Sequence, residues 1–441
     1  MSTVMHPADA ADPQSREAPP APRVATMAAG LVGSEILKIA ADVRTLRASG
    51  ATVCDLTVGD FAPAQFRIPA FLEERIIEAL RRGETNYPPS AGLTSLREAV
   101  VAFYARTLGL RVTTDSVVIT AGSRPGIYAT YLTLCDPGDR VVYPVPSWNN
   151  NHYCHLVGVV GVPVPCGAED GFLPTRALLE EPLRGARLLA LNSPLNPTGT
   201  AFTAEALGEI CDLVLEENAR REETGERPLY VLYDHVYWML TFGGTRHVDP
   251  VSLRPAMAEY TIFVDGISKN FAATGVRVGW VVGPADVVRR MSSVLGHVGA
   301  WAPRAEQAAT AELLAAPEEI ETYHESLTGG VQRRLQALAD GLEAMRADGL
   351  AVESIEPMGA IYLSAHFPIA GMRRADGSPI ADDEAARRWL LEEARVAVVP
   401  FRAFGAREEA GWFRMSVGAT SPEEIAEMLP RLRRALEGLR G

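Results

Sequence analysis

The chain has 441 residues, of which 47% are hydrophobic and 22% are charged, and its formal net charge at pH 7 is −13. This length allows a large core and more than one domain, and the acidic balance argues against nucleic-acid binding, which needs a basic surface to meet phosphates. No apolar run reaches the roughly 18 to 20 residues that span a bilayer, and no apolar signal core lies near the N-terminus, so we expect a cytoplasmic protein without membrane contact.

The first segment, residues 1–24, is rich in Ala, Pro, Asp and Ser and has no hydrophobic periodicity. Such a segment buries too little apolar area to offset the entropy of ordering, so we predict a disordered tail. Residues 25–69 are expected to pack against a small C-terminal domain. Alternating helix and strand signals then predict a large domain over residues 70–322.

Within the large domain, residues 71–80 carry apolar side chains at helical spacing, and short apolar runs recur after them. Near-continuous apolar runs are typical of strands covered on both faces, and the helices between them indicate a largely parallel α/β sheet. The predicted strands are 117–120, 140–143, 188–191, 229–233, 261–264 and 278–282.

The pattern changes beyond Tyr323, where a predicted helix at 331–346 is followed by short alternating strands and a last helix that begins near Ser421. This order indicates a smaller α+β domain over residues 323–441. Its predicted strands lie at about 350–366, 396–399 and 412–417.

The five cysteines are odd in number and contain no C-x-x-C pair, so neither a disulfide framework nor a zinc site is predicted. We expect separate reduced thiols in or near the core, and no metal. They are Cys54, Cys135, Cys154, Cys166 and Cys211.

Polar residues follow several predicted strands at their carboxyl ends, which is where ligands bind in open α/β sheets. The strand at 117–120 runs into Gly122, Ser123, Arg124 and Pro125. Free backbone N–H groups at the start of a helix can hold a phosphate. A strand-to-helix turn that needs glycine for its geometry alone would look the same, so both interpretations stay open here.

Two further strand ends carry candidate residues. Asp234 follows the strand at 229–233, with Tyr237 three residues later. A carboxylate there is costly unless it is partnered, so it either caps a helix or holds a pyridinium nitrogen in its protonated form. Asn196 lies in a turn, residues 192–199, whose two prolines and glycine would hold its amide in a fixed place.

Lys269 stands out because the chain has only two lysines against forty arginines, and the other lysine is Lys38. Only a primary amine can condense with an aldehyde, and arginine cannot replace it in that reaction. Arg277, eight residues later, can bind phosphate in a bidentate way. Spacing alone leaves open that a lysine was retained at position 269 by chance.

Taken in order, these segments resemble the motifs of the pyridoxal-phosphate-dependent aminotransferases of fold type I, class I/II, and most closely those of bacterial aspartate aminotransferases. The resemblance extends from about residue 25 to the C-terminus, and the ordered set is far more specific than any single motif. The motifs are NYPPSAGLTSLREAV (86–100), TAGSRPG (120–126), PSWNN (146–150), NSPLNPTG (192–199), YDHVY (233–237), SKNFAATGVRVGW (268–280) and FRMS (413–416).

The resemblance implies a large domain with a mostly parallel seven-stranded sheet flanked by helices, a smaller α+β domain, and pyridoxal 5'-phosphate as the cofactor. Lys269 would form a Schiff base with the cofactor, and Asp234 would pair with its pyridine nitrogen. Tyr237 and Asn196 would hydrogen-bond its phenolic oxygen, and Trp148 would stack on its ring.

The same resemblance places a phosphate site and a substrate site. The implied phosphate ligands are Ser123, Arg124, Ser268 and Arg277. Tyr87 would reach the phosphate of a neighbouring subunit, which implies a homodimer with shared active sites. Arg414 would bind the substrate α-carboxylate and Gly59 would approach it through its backbone, beside Trp148 and Asn196.

Some positions depart from the family pattern. Gly266 stands where a serine is frequent, although one bacterial branch of aspartate aminotransferases also has glycine there. In that branch a lysine at the position of Arg124 pairs with the distal carboxylate of the substrate, so a dicarboxylic substrate is expected and Arg124 would face the substrate side chain. Phe401, His235 and Trp238 also depart, which leaves the substrate open.

The sequence therefore predicts an aminotransferase that moves an amino group between an L-amino acid, aspartate or another dicarboxylic acid, and a 2-oxo acid such as 2-oxoglutarate. A lyase, decarboxylase, oxidase or ring-forming enzyme with the same cofactor is the main alternative. A cofactor-sensing transcription regulator would need an N-terminal DNA-binding domain, for which the tail is too short. A catalytically dead relative is disfavoured because the matched chemical positions are filled.

Overall fold

The computed structural model describes residues 23–31, 33, 35–406 and 411–440. A first compact unit ends at residue 32, and its described helix is α1 (Thr26–Ala29). The second unit begins at Gly33 and contains all the other elements. Residues 1–22 of the predicted disordered tail lie outside the described residues.

The second unit begins with α2 (Glu35–Ala48) and β1 (Cys54–Asp55). A seven-stranded sheet follows, made of β2 (Val117–Thr120), β3 (Arg140–Val145), β4 (Val160–Pro165), β5 (Ala186–Asn192), β6 (Tyr230–Asp234), β7 (Thr261–Gly266) and β8 (Gly279–Val282). The strand order is β2-β8-β7-β6-β5-β3-β4, and β8 runs antiparallel to the other six described strands of this sheet. The predicted mostly parallel sheet is confirmed.

Ten helices accompany this sheet in the described chain. They are α3 (Ala70–Arg81), α4 (Thr94–Thr107), α5 (Ser123–Leu134), α6 (Asn150–Val157), α7 (Arg176–Leu179), α8 (Ala204–Thr224), α9 (Pro250–Leu253), α10 (Ile267–Asn270), α11 (Ala285–Val298) and α12 (Arg304–Leu314). Short 3-10 turns lie at Thr114–Ser116, Ala168–Asp170 and Pro255–Glu259.

Alternate side chains of one strand point to opposite faces of the sheet. Helices cover both of these faces. Val117 and Ile119 of β2 belong to an apolar cluster with α4, α8 and α12, whereas Val118 belongs to a second cluster with α5 and α11. All four residues of β2 are buried. This two-sided burial explains the continuous apolar runs by which six of the seven strands are visible in the sequence.

The strand that the sequence analysis missed is β4, at the edge of the sheet. It contains Gly161, Pro163 and Pro165, and Val160 is 51% exposed. Proline is tolerated at an edge because no second neighbour needs its missing N–H. An exposed, proline-containing strand lacks the apolar signal that marks buried strands.

A long helix, α13 (Pro317–Ala347), leads to the C-terminal elements. The predicted helix at 331–346 is only its second half, since the adjacent Gly329 and Gly330 do not interrupt it. A Cβ on Gly330 would lie 2.9 Å from Cε1 of Phe66, so this glycine leaves space for the phenylalanine ring. Close packing therefore explains a glycine that the sequence pattern alone suggests is a helix break.

The C-terminal elements form a four-stranded antiparallel sheet in the order β12-β13-β10-β9, together with two further helices. The elements are β9 (Glu353–Ser354), β10 (Tyr362–His366), α14 (Asp383–Glu392), β11 (Val396–Ala397), β12 (Val399–Pro400), a 3-10 turn at Phe401–Phe404, β13 (Trp412–Ser416) and α15 (Pro422–Glu437). The predicted start of the last helix is confirmed, since Ser421 and Glu424 form a capping box.

The segment after Gly33 contacts these C-terminal elements. β1 pairs in parallel with β11. Asp42 of α2 forms an ion pair with Arg387 of α14 at 2.8 Å, and Glu35 pairs with Arg402 at 2.6 Å. These contacts agree with a segment packed on a small domain, although the domain boundaries themselves stay predictions.

Within the described chain, no helix is long and apolar enough to cross a membrane.

Strands β7 and β8 approach each other closely where Gly266 faces Gly279. A Cβ on Gly266 would lie 2.8 Å from both the Cα of Gly279 and the carbonyl oxygen of Val278. A Cβ on Gly279 would lie 2.6 Å from the backbone carbon of Gly122. Backbone atoms cannot move aside as a flexible side chain can, so this junction before α10 requires glycine.

We therefore predict that Gly266→Ala lowers the free energy of unfolding by about 1–3 kcal/mol, the cost of overpacking a core. Urea unfolding of the cofactor-free protein measures this change. Gly244→Ala is the matched control, because a Cβ there meets nothing within 4 Å. Equal urea midpoints for the two variants would contradict the prediction.

Candidate active site

A cavity of about 710 Å³ opens at the carboxyl ends of β5 and β6 and at the start of α5 and α10. Its walls bring together residues from distant parts of the sequence, including β10 and β13 of the small sheet. Eleven of the twelve residues that the sequence analysis assigned to a site line it: Gly59, Ser123, Arg124, Trp148, Asn196, Asp234, Tyr237, Ser268, Lys269, Arg277 and Arg414.

Lys269 lies on α10, directly after β7, and its amine donates a hydrogen bond to the carbonyl oxygen of Gly59 at 2.7 Å. Burial lowers the pKa of this amine from 10.5 to about 8, and the carboxylate of Asp60 opposes the shift. The nearby cations that favour the lower pKa are Arg414, Arg124 and Arg277. A substantial neutral fraction at neutral pH makes Lys269 a nucleophile.

Asp234 is the last residue of β6, and its carboxylate accepts a hydrogen bond from the backbone N–H of Val236 at 3.2 Å. Burial raises the pKa of the Asp234 carboxyl to about 7, while the Val236 N–H and the charge of Lys269 act in the opposite direction. A cation placed against it would keep the carboxylate ionised. This is the property required of a partner for a pyridinium nitrogen.

The turn at residues 192–199 is held by side-chain hydrogen bonds. Asn192 accepts from the backbone N–H of Asn196 at 2.8 Å and donates to the carbonyl oxygen of Asp234 at 2.8 Å. The turn is therefore fastened to the end of β6, and the predicted fixed position of the Asn196 amide follows from these bonds. The Asn196 oxygen in turn accepts a hydrogen bond from Arg414 at 3.0 Å.

Arg414 of β13 is a buried cation, only 2% exposed. It donates to the carbonyl oxygen of Thr57 at 2.7 Å, and its guanidinium lies over the rings of Tyr362 and Phe404 at 4.7 and 4.9 Å. Its Nε has no hydrogen-bond partner among the described residues. Because burial of an uncompensated charge is costly, this guanidinium is suited to an anionic ligand.

The start of α5 forms a cradle with Arg277. Gly122, with a φ of 83°, lets the guanidinium approach so closely that a Cβ would lie 2.3 Å from Nη2. Arg277 donates to the carbonyl oxygens of Ala121 and Thr274, each at 2.8 Å. The hydroxyl of Ser268 is buried and has no partner among the described residues. A helix start, a guanidinium and a free hydroxyl fit a phosphate, so these residues suit pyridoxal phosphate.

Arg124 lies with its guanidinium 4.4 Å from the centre of the Trp148 ring. This stacking holds the cation at the cavity wall, and among the described residues no carboxylate forms an ion pair with it. Arg124 is thus available to a ligand, whether that ligand presents a phosphate or a substrate carboxylate.

Tyr87 is the predicted site residue that does not line the cavity of its own chain. Its side chain is 81% exposed and makes an edge contact with Trp301 at 5.3 Å. An exposed position agrees with a residue that serves another subunit, so the predicted role of Tyr87 stays a prediction.

Among the polar cavity residues that the sequence analysis did not assign to a site are Asp60, Asn192 and Tyr362. Asn192 ends a strand just as Asp234 does, so the rule that found Asp234 could have found it. Tyr362, whose hydroxyl lies 2.7 Å from that of Tyr237, comes from the small sheet, and no local motif marks it.

Three departures from the family pattern lie away from the cavity. Phe401 is buried and packs edge-on against Phe172 at 5.1 Å. His235 and Trp238 are buried in the core beside Phe263 and Phe103. None of the three lines the described cavity, so they do not touch a ligand there.

Comparison with known proteins shows the family of this chain. The family model for aminotransferase class I and II matches residues 51–432. The aspartate aminotransferase of Rhizobium meliloti (strain 1021) is 31% identical over 409 residues, which cover 92% of this chain and 94% of that protein. The aspartate/prephenate aminotransferase of Thermus thermophilus is 32% identical, with 91% and 96% covered.

Solved structures show the same fold. The crystal structure of the Rhizobium meliloti aspartate aminotransferase superposes with a TM-score of 0.86 at 29% identity, covering 95% of this chain and all of that one. The Thermus thermophilus aspartate aminotransferase with maleate gives 0.82 at 30% identity, covering 94% and 99%. An aromatic aminotransferase from Pyrococcus horikoshii gives 0.76 at 29% identity, covering 89% and 98%.

The cavity geometry, the family match across most of the chain and the structural likeness agree with one another. The predicted fold class, cofactor and reaction class are confirmed. The chain belongs to the class I and II aminotransferases and is a transaminase that depends on pyridoxal phosphate.

Proposed function

We propose that this aminotransferase moves the amino group of aspartate, or of another dicarboxylic L-amino acid, to a 2-oxo acid such as 2-oxoglutarate. The observation that supports this best is a pair of guanidinium groups in one cavity, Arg414 and Arg124, with no carboxylate partner among the described residues. A substrate with two carboxylates would compensate both charges. Maleate, present in the Thermus thermophilus structure, is such a dicarboxylate.

In this proposal Arg414 binds the α-carboxylate, Gly59 approaches it through its backbone, and Arg124 binds the distal carboxylate. A guanidinium accepts a carboxylate in a bidentate way, which fixes orientation as well as charge. Holding both ends of the substrate orients the Cα–H bond for proton transfer. The aromatic aminotransferase among the structural relatives shows that the same fold accepts other side chains, so Arg124 is the group to test.

The cofactor, when bound, supplies an aldehyde that reacts with amines and a cationic ring that withdraws electrons from Cα. We propose that the Lys269 amine holds the cofactor and then carries the proton taken from Cα. With the cofactor bound, Asp234 would keep the ring nitrogen protonated. Tyr237 and Asn196 would hydrogen-bond the phenolic oxygen, and Trp148 would pack against the ring. The proposed phosphate ligands are Ser123, Ser268 and Arg277, with Arg124 as the alternative to its role at the substrate.

We also propose a homodimer in which Tyr87 of each chain reaches the phosphate of the other. The support for this is the exposure of Tyr87, whose side chain is 81% exposed and packs edge-on against Trp301. A large aromatic side chain left exposed in this way is suited to contact with a second chain. The cytoplasmic location stays a prediction from the sequence.

The direct test of the substrate proposal uses purified holoenzyme, aspartate and 2-oxoglutarate, with glutamate measured as the product. Formation of glutamate in proportion to aspartate consumed supports the proposal. Release of carbon dioxide, ammonia or hydrogen peroxide without glutamate would instead identify a decarboxylase, a lyase or an oxidase. Adding amino acids one at a time, with the cofactor spectrum as the signal, then ranks the donors.

We predict that Arg124→Gln lowers kcat/KM for aspartate about 100-fold, the cost of losing a charged hydrogen bond to the distal carboxylate. The same variant should change kcat/KM for alanine less than about threefold, since alanine has no distal carboxylate. Initial rates with both donors measure the ratio. A similar loss with both would place Arg124 at the phosphate.

We predict that Lys269→Arg lowers turnover at least about 100-fold and prevents covalent attachment of the cofactor, because a guanidinium cannot condense with an aldehyde or exchange the Cα proton. Borohydride reduction followed by peptide mass analysis measures the attachment. Lys38→Arg is the matched control, since Lys38 is exposed on α2 and is the other lysine of the chain. Full activity in Lys269→Arg would refute the assignment.

The lowered pKa of Lys269, about 8, predicts the pH dependence of cofactor loading. The neutral amine reacts, and its fraction rises with pH through the pKa, so about a tenth is neutral at pH 7. Incorporation of pyridoxal phosphate into the cofactor-free protein should rise to a plateau with a midpoint near pH 8. A rate that still climbs tenfold per unit between pH 8.5 and 10 would show an unshifted amine.

A further inference from the structure

Three buried polar side chains, Tyr104, His235 and Asp265, lie next to the active-site segments without lining the cavity. Each is 0% exposed. Burial of polar groups is costly unless their hydrogen bonds are complete, and an apolar cluster of similar shape would avoid that cost. We therefore expect these three hydrogen-bonded side chains to have a role that apolar side chains could not fill.

Gly266, Trp238 and Tyr104 donate hydrogen bonds to Asp265, and the side-chain amide of Asn270 lies 3.3 Å from its Oδ1. The backbone N–H of Gly266 donates to one oxygen at 2.7 Å. The indole N–H of Trp238 and the hydroxyl of Tyr104 donate to the other oxygen, at 2.9 and 3.2 Å. Gly266 is the next residue of β7, whereas Trp238 lies in the segment after β6 and Tyr104 lies in α4. The carboxyl group thus joins three elements at one point.

Tyr104 connects this carboxyl group to His235. Its hydroxyl lies 2.9 Å from Nε2 of His235 and accepts a hydrogen bond from the indole N–H of Trp280 at 3.0 Å. A hydroxyl has one proton and two lone pairs. When it donates to Asp265, it accepts from Trp280 and from His235, whose imidazole is then neutral with its proton on Nε2.

A second arrangement differs by one proton. A protonated Asp265 donates to Tyr104, which then donates to Nε2 of His235, whose Nδ1 proton faces Nε2 of His247 at 3.4 Å. Burial raises the pKa of Asp265 to about 8 and holds the pKa of His235 well below its ordinary value. Both arrangements contain a neutral imidazole and give each polar atom of Tyr104, His235 and Asp265 a partner.

Two of the three residues, His235 and Asp265, lie close in the sequence to Asp234 and Lys269. His235 directly follows Asp234, and its backbone N–H donates to the carbonyl oxygen of Val264 at 3.2 Å, which joins the end of β6 to β7. Asp265 lies in β7, four residues before Lys269. The segments that carry the carboxylate and the amine are therefore fastened to each other by the same set of bonds.

We propose that Tyr104, His235 and Asp265 form a positioning unit that fixes the ends of β6 and β7, and with them Asp234 and Lys269, for cofactor binding. This proposal rests on the proposed roles of Asp234 and Lys269. None of the three residues touches the ligand cavity, so they act through the backbone segments and not through contact with substrate or cofactor.

The test compares Tyr104→Phe with Tyr233→Phe. Each change removes one hydroxyl from a tyrosine that is 0% exposed, but the Tyr233 hydroxyl bonds the carbonyl oxygen of Val248 and the side chain of Ser193, neither of which belongs to the network. Removal of the Tyr104 hydroxyl leaves Nε2 of His235 and the indole N–H of Trp280 without this partner. We expect Tyr104→Phe to raise the dissociation constant of pyridoxal phosphate about tenfold, and Tyr233→Phe to change it less than about twofold.

The dissociation constant is measured by fluorescence titration of the cofactor-free protein, and steady-state rates provide a second measurement. The rate loss in Tyr104→Phe should lie in kcat, with KM for the amino acid within about twofold, because Arg414 is untouched. The unfolding temperatures of the two cofactor-free variants should fall by equal amounts. The proposal would be overturned if the two variants bound pyridoxal phosphate equally well, whether at wild-type affinity or with the same loss.

A second variant keeps the proposal testable if Tyr104→Phe does not fold. In Asp265→Asn the amide NH2 must face a donor in either orientation, the Gly266 N–H on one side or the Trp238 indole on the other. We expect at least the same tenfold weakening of cofactor binding. Wild-type affinity in Asp265→Asn would overturn the proposal. Absence of cofactor binding by the wild-type protein would instead refute the proposed function.

Discussion

Among the described residues, four cationic side chains and two carboxylates line the proposed active-site cavity. The cations are Lys269, Arg124, Arg277 and Arg414, and the carboxylates are Asp60 and Asp234. The chain as a whole has a net charge of −13, so the cavity lining has the opposite sign of charge. The fold brings these cations together from distant parts of the sequence. Burial lowers the pKa of the Lys269 amine, Asp60 opposes this shift, and the three arginines add to it. The same three arginines give the cavity the positive charge that suits the proposed phosphate and carboxylate ligands.

The fold keeps these like charges close by giving three of the cations neutral oxygen partners, while Arg124 stacks on the ring of Trp148. Arg414 is held by Thr57 and Asn196, and Arg277 by two backbone carbonyls. Because Thr57, Asn196 and Arg414 come from three distant parts of the sequence, one guanidinium fastens the N-terminal segment, the large sheet and the small sheet together. The same group is the proposed ligand of the substrate, so substrate binding and the packing of these parts are coupled.

The site residues at the ends of the large-sheet strands were easier to predict from the sequence than the cavity residues contributed by the small sheet. Lys269 and Asp234 lie at the ends of buried strands, and the apolar runs that reveal such strands are a direct consequence of burial on both faces. Tyr362 and the Arg414–Thr57 contact depend on how the small sheet lies against the large one, and no local pattern encodes that arrangement. The edge strand β4 and the continuous α13 were misjudged because proline and glycine are acceptable there only for tertiary reasons.

The role of Gly266 shows the same limit. Its departure from a frequent family serine looks like a change in the active site, but the structure explains it by the backbone of β8 only 2.8 Å from where a Cβ would lie. Similarly, His235 and Trp238 look like substrate-related changes in the sequence, whereas both side chains lie in the core. Sequence position next to a catalytic residue does not reveal which way a side chain points.

The scarcity of lysine has a consequence for handling and regulating this protein. Lys38 is exposed on α2, and the other ε-amine lies inside the cavity. Acylating reagents and acetyl-transferring enzymes act on ε-amines, so they would find a single accessible lysine target on this molecule. A reagent selective for ε-amines would therefore attach a dye or a solid support at Lys38, and occupation of the cavity would shield the other ε-amine from it.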